Sequence, residues 1–236
     1  FHKRLGFSKF QSFIKVYKNN FVFGQTIIDK YAIQLGQRNL FTYDFEGEEI
    51  LHELLKEKKG GILISAHVGN FEIAEYFFSE IDEFSQINLV TTDNEHKEIK
   101  KQLETIAVKS NIKFIIVKDD MSHIFNINAA LSNNELICFT GDRYQDGAKT
   151  LKGNLLGTSA EFPAGPFLLG SRLKVPVVFV YVMKEASQHY HLYAKKAEFI
   201  NRDANDLLMQ YTKSVNWILN KYPYQWFNYF DFWDEL

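Results

Sequence analysis

The chain has 236 residues, 46% hydrophobic and 24% charged, which is the balance of an ordinary globular protein with a core large enough to need no staples. A single Cys excludes a disulfide framework and a Cys-based zinc site. With 29 Asp and Glu against 27 Lys and Arg, bulk positive charge does not drive nucleic-acid binding, and no nucleic-acid partner is expected.

Residues 1–28 carry Lys3, Arg4, Lys9, Lys15 and Lys18 and no acid, so a basic start is joined to an acidic body. Two helices are predicted here, Ser8–Lys18 and Phe21–Leu35. Phe7, Phe10, Ile14, Tyr17 and Phe21 recur at helical spacing. A basic, Phe-rich amphipathic helix suits an anionic membrane surface. A core-packing helix with a solvated basic back is the alternative. Aromatics make up 16% of the chain, with 22 Phe, which points to an interface or an apolar ligand. No run reaches the ~20 mostly apolar residues of a spanning helix. No signal peptide is expected, and an anchoring segment ahead of Phe1 stays open because the chain does not begin with Met.

A third helix is predicted over Glu48–Lys58, stopped by Gly60-Gly61. Alternation follows: strand Ile62–Ile64, helix Phe71–Glu80, strand Gln86–Val90, helix Glu95–Lys109, strand Lys113–Val117, helix Met121–Leu131, strand Glu135–Phe139. Strands alternating with such helices indicate a mostly parallel central sheet flanked by helices. A long polar loop with Gly141, Gly147, Gly153 and Gly157 comes next, then helix Phe162–Leu173 and strand Val175–Met183. Gln188–Lys195 is expected to pair with that strand antiparallel. A last helix spans Ala204–Lys221 with Asp203 as its cap, before an aromatic tail over Tyr222–Leu236. The fold class is therefore α/β with a helical N-terminal extension, in one domain over residues 1–236.

In open α/β sheets, ligands bind at the carboxyl ends of the strands. Two polar clusters fall there. The first is Ser65–Glu72, SAHVGNFE, with His67 and Glu72 in an H-x4-E pattern. The turn can fold the Glu72 carboxylate onto the imidazole, leaving His67 to take a proton from a hydroxyl. Gly69 permits a tight turn or a close substrate, with Asn70 beside it. Spacing alone decides nothing, because His52 and Glu57 share it on a charged helix. The alternative for His67 is a loop histidine, with Glu72 simply well placed in a first helical turn. The second cluster is Gly141-Asp142-Arg143, where Arg143 either grips a phosphate or carboxylate or pairs locally with Asp142. Phe162-Pro163-Ala164-Gly165-Pro166 and Val175-Pro176-Val177-Val178 complete the set, with Pro163 suited to a helix start. His189 and His191 share one face of a strand, without an adjacent carboxylate at metal-ligand spacing. Asp119-Asp120 reads as a cap, Cys138 as core, and His96 and His123 as solvated or locally bonded.

In this order, HVGNFE, ICFTGDR over Ile137–Arg143, Phe162–Gly165 and Val175–Val178 resemble the motifs of the lysophospholipid acyltransferase superfamily. The closest likeness is to its late lipid A acyltransferase branch. The terminal YPYQWFNYFDFW over Tyr222–Trp233 resembles the Pro-x-Gln-Trp segment that ends that branch. Two positions depart. Ala164 stands where glycerol-phosphate acyltransferases carry a Glu, which argues against their acceptors. Gly141-Asp142-Arg143 stands where the lipid A branch carries Asp-x-Asp or Asp-Gln.

The resemblance implies O-acyl transfer from an acyl thioester, on acyl carrier protein or coenzyme A, to a hydroxyl of a lipid A precursor or related lipid. It gives His67 as general base and Glu72 as the residue orienting it. Gly69, Asn70, Asp142, Arg143, Phe162, Pro163 and Gly165 would bind substrate, and amides near Gly69–Phe71 or the third motif would hold the oxyanion. No cofactor and no metal is required. Residues 1–58 would be the membrane-proximal helical part and 59–236 the catalytic core, at the inner membrane with its site facing the cytoplasm. A different hydroxylated lipid, of amino-acid or polyene type, is one rival reading. A peripheral membrane-binding protein without catalysis is another.

Overall fold

The structure, a computed structural model, describes residues 1–74, 76, 86–92, 97, 112–118, 120–145, 147–198, 202–229 and 232–233. The helix expected over 95–109, most of that expected over 71–80, and His96 and Asp119 lie outside the described residues.

Seven strands form one sheet: β1 (Thr42–Glu46), β2 (Gly61–Ser65), β3 (Ile87–Thr91), β4 (Lys113–Ile116), β5 (Leu136–Thr140), β8 (Val177–Lys184) and β9 (His189–Lys196). Their spatial order is β1-β9-β8-β2-β5-β3-β4. Every pairing is parallel except β8 with β9, which run antiparallel as the alternation over Gln188–Lys195 predicts. All five residues of β2 are buried, as expected for a central strand covered on both faces. Ile62 and Ile64 face a core shared with α4 (Ser122–Ser132), α5 (Ala164–Arg172) and α6 (Ala204–Lys221). Leu63 faces the opposite core, with Leu51 and Leu54 of α3 (Glu48–Lys56). Asp203 caps α6 through the amides of Asn205 and Asp206.

Several expectations are corrected. The polar loop after Thr140 contains an antiparallel hairpin, β6 (Thr150–Leu155) and β7 (Thr158–Pro163), turning at Leu156-Gly157. Phe162 and Pro163 end that hairpin, and the helix begins only at Ala164. β1 was not foreseen. A short α1 (His2–Leu5) precedes one continuous α2 (Lys9–Ala32), which replaces the two predicted N-terminal helices. Asn19-Asn20 does not break α2, because Asn19 is buried and its amide bonds elsewhere in the fold. Ser8 and Gln11 close a reciprocal capping box at its start.

α2 is inverted in polarity. Its buried residues are Asn19, Thr26 and Asp29. Its exposed stripe is Phe10, Phe13, Ile14, Tyr17, Phe21 and Ile28, with Phe13 76% exposed. The core-packing alternative for this helix is therefore overturned. Among the described residues, no helix is long and apolar enough to cross a membrane.

Candidate active site

β2 and β5 are neighbours in parallel register, with Ser65 opposite Thr140. Two residues beyond each carboxyl end stand His67 and Asp142, so the register brings these side chains together. The imidazole Nδ1 lies 2.7 Å from Asp142 Oδ1, and the His67 backbone amide donates to Oδ2 at 3.0 Å. Trp226 Nε1 donates to the same oxygen at 3.3 Å. Asp142 is 1% exposed. Burial pushes its carboxyl up. The imidazole charge, the hydrogen bonds from His67 and the Trp226 indole oppose this and hold it below the usual carboxylate range. An ionised Asp142 accepts the Nδ1 proton, which leaves the lone pair on Nε2. The His67 ring is half-buried, edge-on to Phe71 at 5.6 Å.

Glu72 does not touch the imidazole. Residues Phe71–Ile73 form a 3₁₀ turn, and the Glu72 carboxylate pairs with Lys30 of α2 at 2.6 Å. The carboxylate that orients His67 thus comes from the next strand in the sheet, where sequence reasoning put a substrate ligand.

Other expected ligands carry structure. Gly69 adopts φ +60, and a Cβ there would lie 2.1 Å from the Val182 carbonyl oxygen. Its amide donates to Gln225 O at 2.7 Å, and the Asn70 amide donates to Val182 O at 2.7 Å. Those two amides are therefore committed and do not serve an oxyanion. The Asn70 side chain is buried and donates to Thr26 O at 2.9 Å, tying the loop to α2. Arg143 bonds Phe227 O at 2.8 Å and Asn228 Oδ1 at 3.3 Å, so it straps the tail. Phe162 is fully buried against Tyr211 and Phe232. Pro163 precedes α5, whose first turn is buried at Ala164, Pro166 and Phe167 and exposed at Gly165, with open space around the Gly165 Cβ position.

The tail forms the other wall. Val68 and Trp226 make an antiparallel bridge, and Phe227 N donates to His67 O at 2.9 Å. The Gln225 amide caps the end of β8 through both backbone groups of Lys184. Asn19 donates to Tyr224 O and Trp226 O, each at 3.0 Å. Trp226, Gln225 and Asn19 were not predicted as site residues. The Gln-Trp pair in the aromatic tail was the available signal for the first two. Asn19 gave none. Among the described residues no three His, Cys, Asp or Glu side chains gather as a metal site.

The family model described as bacterial lipid A biosynthesis acyltransferase matches residues 19–233. The chain belongs to that family. It is an acyltransferase, and its place is in transfer of an acyl group to a lipid. The matched span runs from Asn19, which holds the tail, to Trp233, and so includes the His67–Asp142 pair. No curated protein sequence matches the chain.

Proposed function

We propose that this lipid A acyltransferase family member moves a fatty acyl chain from an acyl thioester, on acyl carrier protein or coenzyme A, to a hydroxyl of a lipid A precursor. The observation that carries the reading is the His67–Asp142 pair at the carboxyl edge of the sheet. His67 Nε2 takes the proton of the acceptor hydroxyl as its oxygen bonds to the thioester carbonyl carbon. Collapse of the tetrahedral intermediate breaks the C–S bond, and the thiolate leaves with the proton carried by His67. Asp142 stays ionised and stabilises the imidazolium between these steps. A positioned base contributes roughly 10²–10⁴ in rate. The amide of Gly165, the exposed residue in the first turn of α5, serves the oxyanion; the Ala164 amide is bonded to Lys149 O and Pro166 has no N–H.

The protein acts at the inner membrane, peripherally or anchored by a segment ahead of Phe1, with its site on the cytoplasmic side. The exposed Phe, Tyr and Ile stripe of α2 enters the interfacial region of the bilayer, and Lys9, Lys15 and Lys18 lie on the same acid-free segment. The buried face of α2 bonds Asn70 and the tail, which links the membrane-facing helix to the loop that carries His67.

The test is thioester consumption with acyl-carrier-protein and coenzyme A donors, with hydroxylated lipids as acceptors, beside His67→Ala. A new acylated lipid that disappears in the variant supports the reading. A folded His67→Ala protein with undiminished turnover would sink it.

A further inference from the structure

Trp226 lies 84 residues beyond Asp142 in the chain, and the acyl-transfer steps above give its indole no part. Asp142 Oδ2 accepts two hydrogen bonds, from the His67 backbone amide at 3.0 Å and from Trp226 Nε1 at 3.3 Å. Its other oxygen, Oδ1, faces the imidazole Nδ1 at 2.7 Å. The two donors to Oδ2 come from opposite walls of the site, the loop after β2 and the tail. Together they fix the plane of the carboxylate, and that plane aims Oδ1 at the ring. An indole N–H donates and cannot accept. It therefore holds Oδ2 as an acceptor, which keeps the carboxylate ionised while an imidazolium forms beside it. Asp142 is buried, and burial favours the competing event, passage of the Nδ1 proton to the carboxylate and neutralisation of the pair.

The backbone at residue 226 is held without help from the indole. Trp226 bridges Val68 antiparallel, the Gly69 amide donates to Gln225 O at 2.7 Å, and the Phe227 amide donates to His67 O at 2.9 Å. Asn19 of α2 donates to Trp226 O at 3.0 Å, and Arg143 donates to Phe227 O at 2.8 Å. The side chain packs edge-on against Phe232 at 5.5 Å and Trp233 at 5.7 Å. An apolar ring would serve that packing. The N–H turned onto a buried carboxylate serves Asp142.

We propose that Trp226 is a positioning residue of the acyltransferase site: its indole N–H holds Asp142 as an anion, in the plane that orients His67, so that the docked tail completes the dyad. The proposal rests on the acyltransferase reading with His67 as the base.

The test compares the parent with Trp226→Phe, with Trp226→3-benzothienylalanine, and with Trp226→Phe placed in the Asp142→Asn background. Benzothienylalanine keeps the outline of the indole and puts sulfur in place of the N–H, so packing is retained. Loss of a hydrogen bond to a charged group should lower kcat about tenfold in both single variants, with KM for donor and acceptor within about twofold of the parent. In the Asp142→Asn background the same change should cost less than about twofold, because the group it acts through is already altered. Parent kcat in the benzothienyl protein overturns the proposal, as does a raised KM with unchanged kcat, or an equal further loss in the Asp142→Asn background. Histidine ¹⁵N–¹H NMR reads the same contact without turnover, with the His67 signals identified by their absence from His67→Ala. The Nδ1 proton should lie downfield in the parent, where it is bonded to a carboxylate, and move upfield in the benzothienyl protein. The same position in both overturns the proposal. A protein pair that shows this shift without thioester turnover overturns the acyltransferase reading alone, and an active parent matched by its Trp226 variants overturns the role of Trp226 alone.

Discussion

Nδ1 of His67 and Oδ1 of Asp142 lie 2.7 Å apart, although 75 residues separate them in the chain. The parallel pairing of Ser65 with Thr140 closes that interval. Asp142→Asn keeps the shape and removes the charge that fixes the imidazole. Turnover should fall by about 10²–10⁴, measured as kcat beside a circular-dichroism check of folding. Full activity in Asp142→Asn would exclude the orienting role.

The same carboxyl sets a pH dependence. Its folded pKa lies below the ordinary value, so its stabilising contribution is complete above the unfolded carboxylate range and is lost as pH falls through the folded pKa. The melting temperature of the parent should exceed that of Asp142→Asn at about pH 5, and the margin should shrink below about pH 4. A margin that grows on acidification contradicts this sign.

Glu72→Gln should behave differently from Asp142→Asn. Glu72 is 40% exposed at its side chain and pairs with Lys30, a setting worth under about 1 kcal/mol. Turnover is expected to drop by less than about tenfold, because a half-exposed pair contributes little. Kinetics of the two variants side by side decide this, and equal losses would return the orienting role to Glu72.

Gly69→Ala forces a Cβ to 2.1 Å from the Val182 carbonyl oxygen at a residue with φ +60. The loop must leave β8 and the tail, at a cost of roughly 3 kcal/mol or more. Urea denaturation should show it as a lower midpoint. A Gly69→Ala protein as stable as the parent would mean that this contact is not made.

Asp29 is buried with Lys184, and Tyr190 donates to it at 2.5 Å. Asp29→Ala leaves a buried ammonium without its partner and should cost about 3–5 kcal/mol, while Asp29→Leu with Lys184→Met should recover much of it. Equilibrium unfolding of the parent, Asp29→Leu, Lys184→Met and their double variant gives the coupling energy, and additive losses would show that the pair is uncoupled.

Phe13→Glu with Phe21→Glu should leave the melting temperature within a degree or two, since both rings face solvent. Binding to anionic vesicles should fall at least about tenfold, because burying one such ring is worth about 1.5–3 kcal/mol. Sedimentation with vesicles measures it. Retained binding would point to another surface.

Local chemistry made several elements legible in advance. Asp203 and the apolar period gave α6 its residues, Gly60-Gly61 ended α3 near its true end, and unbroken apolar runs such as Ile62–Ile64 marked buried strands. The hairpin β6–β7 was not legible. TLKGNL and TSAEFP alternate poorly, and Gly153 interrupts the first of them, leaving the space that Phe162 and Thr212 fill.

The sequence by itself determined that His67 follows a central strand, that Asp142 follows another, and that residues 1–28 are basic and rich in Phe. These are properties of short segments, set by burial, turn residues and charge. Only the tertiary structure decided that Asp142, rather than Glu72, meets the imidazole, because strand register is a relation between segments far apart in the chain. It likewise decided the facing of α2. A helical period marks a stripe, but Asn19 bonds the tail, Thr26 O the loop after β2 and Asp29 the strands β8 and β9, and these polar contacts turned the apolar stripe outward.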